Sequence, residues 1–234
     1  MLLQVFAHRG HFAEYPENTL GAFRAAARIG AQGIELDVHL THDGHPVVLH
    51  DDHVDRTTNS VGSVAELTLK ELQQLDTGCG ECVPTLGDIF QALGESLRIN
   101  VHLKAIDDKR LVPAVVTEIT QHAMLDHAYL ATNGPTWQQA RSLQPKLSGC
   151  HLGPHPRNTP AFLEKTHSLD CSIIQLDWRI IDALFVDMAH ELGIEVHAMH
   201  LDANYDKRAF DSIPPTGVDA VLTDYPKRWL AQQG

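Results

Sequence analysis

Two segments of this 234-residue chain carry ionisable side chains on one face of an otherwise apolar run. In the first, Glu35, Asp37 and His39 alternate with Ile34, Leu36, Val38 and Leu40. In the second, Asn100, His102 and Lys104 alternate with Ile99, Val101 and Leu103. Side chains alternate faces along a strand, so each segment has one apolar face and one polar face. Burying unpaired carboxylates is costly or forces them to neutralise. Such a face is tolerable where it binds a cation or a substrate. Paired carboxylates supply hard oxygen ligands for a divalent cation. Histidine titrates near neutrality and suits proton transfer.

Those segments need elements to position them. Residues 5–7 form a short apolar strand running into His8 and Arg9. Residues 18–29 read as a helix with Asn18 as N-cap, and Leu20, Phe23 and Ala27 fall at helical spacing. Residues 34–40 and 47–49 flank the Asp43-Gly44 turn, a hairpin signal. A turn centred there makes facing residue numbers sum to about 87, which sets Asp37 opposite His50 and Glu35 opposite Asp52. A slip of one residue would reverse the face. His39 is expected too far along the hairpin to matter. His197 either lines the site or stays outside it.

Residues 51–84 break the rhythm with Asn59, Gly62, Gly78, Gly80 and Pro84, and read as an insertion over one end of the domain. A short helix is expected within it near 69–75, and another helix follows at 86–93. The polar-faced strand at 98–104 comes next. Helices are then predicted near 108–124, 135–143, 159–168, 182–192, 204–212 and 225–232. Strands are predicted near 127–131, 147–152, 172–176, 194–200 and 219–223. Asp224, Tyr225 and Pro226 are expected to begin the last helix.

Repeated strand–helix units imply a parallel sheet. Leaving out the hairpin's return strand, about eight such units suit a closed (β/α)8 TIM barrel with a small insertion after the strand-2 hairpin. An open doubly wound sheet would call for a Gly-rich phosphate loop, and the sequence holds no GxGxxG or Walker pattern. Reactive groups of a barrel sit at the C-terminal ends of its strands. His8 with Arg9, Glu35 with Asp37, and His102 with Lys104 then all fall at one end.

Length and a hydrophobic content of 43% fit a single domain over residues 1–234, with 51–84 within it. The net charge of −12 argues against a general nucleic-acid or anionic-membrane surface. No basic leader or membrane-length apolar run is present, so a cytoplasmic location is the default expectation. Cys150 and Cys171 sit in apolar settings and are expected to be buried and reduced. Cys79 and Cys82 form a CxxC with no second pair to complete a zinc site. The sequence carries no signal for oligomeric state.

AHRG at 7–10, PENT at 16–19, IELDV at 34–38, THDG at 41–44 and VVLHD at 47–51 resemble the glycerophosphodiester phosphodiesterase family. PTL at 84–86 and TDYP at 223–226 continue the resemblance in order and spacing. The resemblance implies a (β/α)8 barrel that hydrolyses glycerophosphodiesters to glycerol 3-phosphate and an alcohol, using a divalent cation such as magnesium or calcium. By the same resemblance His8 and His50 are an acid–base pair, Arg9 and Lys104 contact phosphate, and Glu35 and Asp37 bind the metal. The expected partner is a small glycerophosphodiester such as glycerophosphocholine, placing the enzyme in glycerol and lipid metabolism. A lysophospholipid or other larger substrate is an alternative, as is an anion-binding barrel without catalysis.

Two departures stand out. The family usually carries Glu two residues before the lysine, where this chain has His102. His102 either faces the metal and shifts preference toward manganese or zinc, or is hydrogen-bonded beside a two-carboxylate site. The second departure is Met199, His200, Leu201 and Asp202, where the family often shows Trp-Thr-x-Asn.

Overall fold

The computed structural model describes residues 3–152, 159–201 and 207–232. Its strands are β1 (Gln4–His8), β2 (Gly33–Leu40), β3 (Pro46–Val48), β4 (Arg98–Leu103), β5 (Ala128–Thr132), β6 (Ser148–His151), β7 (Ile173–Asp177), β8 (Glu195–His200) and β9 (Ala220–Thr223). All but β3 pair in parallel, and β1 pairs with both β9 and β2, closing an eight-stranded barrel. The expected TIM barrel is what forms. β3 runs antiparallel on β2 and stands outside the ring.

The helices are α1 (Leu20–Arg28), α2 (Leu69–Leu72), α3 (Leu86–Leu93), α4 (Leu111–Gln121), α5 (Gly134–Leu143), α6 (Thr159–Ser168), α7 (Ala183–Glu191), α8 (Lys207–Ser212) and α9 (Pro226–Ala231). α2 is shorter than the expected 69–75. It opens on a capping box between Thr68 and Glu71, as α3 does between Thr85 and Asp88. The expected helix at 204–212 has residues 204–206 outside the described residues; the rest is α8.

Outward-facing strand residues such as Ile34, Leu36, Val38, Ile99, Val101 and Leu103 pack with the helices in one buried cluster. Alternation then turns the polar residues of β2 and β4 into the barrel. Inside, Phe6, Tyr129, Ala131, Cys150, Ile173, Ala220 and Leu222 make a smaller apolar cluster. All eight residues of β2 are buried, so Glu35 and Asp37 lie inside the ring, not on its rim. Cys150 and Cys171 are buried free thiols, while Cys79 and Cys82 are exposed and free.

A polar floor closes the other end. Arg98 donates to Glu195 at 3.0 Å and to Gln4 at 3.3 Å. His197 bridges Tyr129 at 3.2 Å and Glu195 at 3.3 Å, so it belongs to the floor and not to the site. The His197 hydrogen bond, with Arg98 behind it, holds the Glu195 carboxyl down to about 2 against an ordinary 4.5. A carboxyl with a lowered folded pKa adds stability above its unfolded value and loses it as pH falls. Glu195→Gln is therefore expected to flatten the fall in stability between pH 4.5 and 2, as read by urea unfolding at each pH.

The insertion has its own apolar centre. Val54, Val64, Leu72 and Val83 pack with Val47 and Leu49 from the hairpin. Val48 N–H donates to Pro84 at 2.9 Å, tying the end of the insertion to β3.

Candidate active site

The turn after β1 is built from unusual backbone. Arg9 has φ of 55° and Gly10 has φ of 84°. A left-handed non-glycine residue costs roughly 1–2 kcal/mol, so its surroundings must hold it. Arg9 N–H meets both the carbonyl of Glu35 at 3.0 Å and its Oε2 at 3.3 Å. Gly10 has no latitude either, because a Cβ there would lie 2.8 Å from the backbone of Ala22. The Arg9 guanidinium thereby reaches Glu17 at 3.0 Å and Asp37 at 3.4 Å.

Asn18 does not cap α1, contrary to the sequence expectation. Thr19 does, accepting from Ala22 N–H. An N-cap needs extended backbone, whereas Asn18 has φ of 58°, a region asparagine tolerates. Its amide is used elsewhere, donating to Asp37 Oδ2 at 3.0 Å and accepting from Asp37 N–H at 3.3 Å. It fixes the rotamer of that carboxylate.

Glu35 and Asp37 are 2% and 1% exposed. His102 Nδ1 lies 3.5 Å from Glu35 Oε1 and 3.2 Å from Asp37 Oδ1. Lys104 Nζ lies 3.6 Å from Asp37 Oδ1. Burial alone would lower the His102 pKa, but hydrogen bonds to both carboxylates outweigh it and push the value up to about 9. Burial likewise works against the Asp37 carboxylate. His102, Lys104 and Asn18 overcome it and hold the group well below the usual range.

Among the described residues Glu35, Asp37 and His102 form the group suited to a metal ion, with one donor atom each inside 4.8 Å. Two carboxylate oxygens and an imidazole suit a divalent cation. Their separations of 3.2 and 3.5 Å are close to the spacing of adjacent donors in a shell, about 3 Å. The residues fit such an ion.

Each of the two other histidines is tied to a carboxylate. His8 Nδ1 lies 2.6 Å from Asp224 Oδ1, and its Nε2 lies 3.8 Å from Glu35 Oε2. Burial pulls the His8 pKa down, but the Asp224 hydrogen bond and the Glu35 charge win, and the net shift is upward. His50 Nδ1 lies 2.6 Å from Asp51 Oδ1, and its Nε2 lies 3.2 Å from Lys104 Nζ. An ionised carboxylate only accepts, so both rings carry hydrogen on Nδ1 and present Nε2.

The hairpin register is not the expected one. Val38 faces Val48 and His39 faces Val47, so facing numbers sum to 86, a slip of one residue. Strict pairing would turn His50 away from the site. Pairing stops instead at Val48, and the chain bends. His39 Nε2–H donates to the His50 carbonyl at 3.1 Å and holds that bend. His39 therefore matters, against expectation, by fixing the backbone that carries His50.

All seven residues singled out by sequence are brought together: His8, Arg9, Glu35, Asp37, His50, His102 and Lys104. Sequence reading missed Asp224, placed only at a helix start; Pro226 begins α9, and Asp224 lies in a bend one position past the end of β9, where it meets His8. Its place just past the C-terminal end of a barrel strand was the available signal. Asp202, part of the second departure, lies outside the described residues.

Residues 8–228 match the Glycerophosphoryl diester phosphodiesterase family. A glycerophosphodiester phosphodiesterase of Caldanaerobacter subterraneus is 48% identical over 109 residues, which covers 43% of this chain and 45% of that relative. The chain thus matches less than half the length of that relative. YhdW of Bacillus subtilis is 28% identical over 238 residues, 96% of this chain and 95% of that protein. A phosphodiesterase from Oleispira antarctica, solved in complex with the product sn-glycerol-3-phosphate, superposes with a TM-score of 0.87 at 29% identity, covering 98% and 96% of the two chains. Order of motifs, closed barrel and match along nearly the whole chain agree, and the chain belongs to the glycerophosphoryl diester phosphodiesterase family of hydrolases.

Proposed function

We propose that this chain hydrolyses small glycerophosphodiesters to glycerol 3-phosphate and an alcohol, with a divalent cation and with His8 and His50 as the acid–base pair. The observation that carries this reading is the pairing of each histidine Nδ1 with a carboxylate at 2.6 Å beside the Glu35–Asp37–His102 group, whose two carboxylates are buried. On this reading residues 1–234 act as one barrel unit, with 51–84 an insertion that supplies part of the site wall.

A phosphodiester resists attack because it is anionic and its leaving alkoxide is poor. Hydrolysis forms one P–O bond to the attacking oxygen and breaks the P–O bond to the departing alcohol. One histidine Nε2 takes the proton from the attacking hydroxyl, and the other returns a proton to the leaving oxygen. The attacking hydroxyl belongs to water, or to the substrate's own glycerol; in the second case the first step expels the alcohol and leaves a cyclic phosphodiester, which water then opens to glycerol 3-phosphate with the two histidines exchanging roles. Arg9 and Lys104 neutralise phosphoryl oxygens, Arg9 through its planar fork. Glu35, Asp37 and His102 would hold the divalent cation, which when bound supplies Lewis-acid stabilisation of phosphoryl charge.

The test is glycerol 3-phosphate release from glycerophosphocholine by metal-stripped protein, with magnesium, calcium, manganese or zinc restored singly. Activity with at least one ion is expected. Silence with all of them would discard this substrate and favour an anion-binding barrel or a larger diester.

His102 is the third ligand on this reading, and imidazole favours manganese or zinc over magnesium or calcium. His102→Glu is expected to reverse that order; an unchanged order would remove His102 from the ligand set. A ligating imidazole must also shed its proton. With its pKa up to about 9, metal affinity is expected to climb as pH rises toward 9 and then level off, and His102→Glu to lose that climb in calorimetric titrations.

A further inference from the structure

Arg56 lies in the insertion, outside every residue assigned so far. Its guanidinium spans two carboxylates. Nε and NH2 donate to Asp51 at 2.6 and 3.1 Å, while NH1 and NH2 donate to Glu17 at 3.1 and 2.8 Å. Asp51 is the partner of His50 Nδ1 at 2.6 Å, and Glu17 accepts from Arg9 at 3.0 Å. An unbroken polar chain thus runs Arg9–Glu17–Arg56–Asp51–His50. It joins the phosphate-facing end of the site to one of its two proposed acid–base histidines.

Asp51 alone is a poor anchor. Its side chain is 32% exposed and its only partners among the bonds described are Arg56 and His50. A free aspartate would share its rotamers with water and release the imidazole. The two-pronged contact from Arg56 removes that freedom, and it holds the Asp51 carboxyl well below the usual range. Arg56 is itself held at both ends. Glu17 grips its far side, and its backbone belongs to a turn in which Thr58 N–H donates to Val54 at 3.0 Å. Val54 is wholly buried in the insertion's apolar centre. The groups around His50 are then Asp51 on Nδ1, Lys104 on Nε2 and His39 on the carbonyl.

We propose that Arg56 is a positioning residue that clamps Asp51 onto His50, so that the imidazole keeps one tautomer and presents Nε2 to the reacting oxygen. The insertion is thereby part of the catalytic machinery and not only a cover. The proposal rests on the reading of His50 as an acid–base group, and its test separates the two.

Nitrogen NMR of the His50 ring reports tautomer directly, without activity. Wild type is expected to show one tautomer with hydrogen on Nδ1, and Arg56→Gln a mixture. In the assay Arg56→Gln is expected to lower kcat about tenfold to a hundredfold, the usual cost of losing a group that orients an active residue. Arg56→Lys keeps the charge but not the fork, and is expected to recover little of that loss. In a His50→Ala background Arg56→Gln is expected to cost under about threefold more, because residues acting as a unit are not additive. Thermal unfolding confirms that each variant folds, as the half-exposed position of Arg56 leads one to expect. A single tautomer persisting in Arg56→Gln, or an equal kcat loss with and without His50, overturns the clamp. Full activity in His50→Ala would instead overturn the acid–base reading, with the tautomer result still deciding whether Arg56 orients the ring.

Discussion

Replacing His8 by alanine is expected to lower kcat about a thousandfold, within the range found for removing a positioned acid or base. KM should move far less, because Arg9 and Lys104, the proposed phosphate contacts, are left in place. The neighbouring carboxylate supplies a sharper test. Asp224 lies 2.6 Å from His8 Nδ1 and is the largest influence raising its pKa. In Asp224→Asn that influence is gone, and burial again pulls the His8 pKa down. One limb of the pH–rate profile must therefore move to lower pH. Movement of the acid limb would make His8 the base; movement of the alkaline limb would make it the acid. An unmoved profile would show that His8 transfers no proton in the rate-limiting step. The same variant is expected to reduce kcat on the order of a hundredfold through lost orientation of the ring.

The second large effect concerns Asp37 and falls on stability as well as activity. Asp37 is 1% exposed and lies against His102 at 3.2 Å, Arg9 at 3.4 Å and Lys104 at 3.6 Å. Removing one partner of a buried charged group leaves the others without compensation and costs about 3–5 kcal/mol. Asp37→Ala is expected to lose stability on that scale in urea unfolding of the metal-free protein. It is also expected to lose measurable metal binding and at least about a thousandfold in kcat. Asp37→Asn keeps the shape and the Asn18 contact but not the charge, so it should fall as far in activity while losing less stability. Wild-type stability in Asp37→Ala would mean that water already screens the three cations, and the ion group would not be the closed unit its burial indicates.

The period-2 pattern at 34–40 and 98–104 was enough to place Glu35, Asp37, His102 and Lys104 on a common interior face. Strand alternation follows from backbone geometry and is indifferent to what lies beyond the strand. The repeating strand–helix order led to a closed parallel barrel for a similarly local reason. Ends of elements were harder. Asn18 satisfied the composition rule for a cap but was drawn to Asp37, because the buried carboxylate gains more from its amide than a solvated helix terminus does.

His50 shows where local rules stop. Turn chemistry placed it opposite Asp37, and the observed register of 86 undoes that pairing by one residue. His50 reaches the site because the hairpin ends early and because His39, Asp51 and Lys104 each take hold of it. His8 and Asp224 are 216 residues apart and meet because β9 pairs with β1 when the barrel closes. The Glu17–Arg56–Asp51 bridge likewise forms only when the insertion docks over the barrel mouth. The sequence by itself determined the barrel, the strand faces and the seven candidate residues that the fold gathers together, because each depends on chain periodicity or motif order. Only tertiary structure decided which carboxylate orients each histidine, because those contacts are set by ring closure and loop docking between segments whose spacing along the chain carries no distance information.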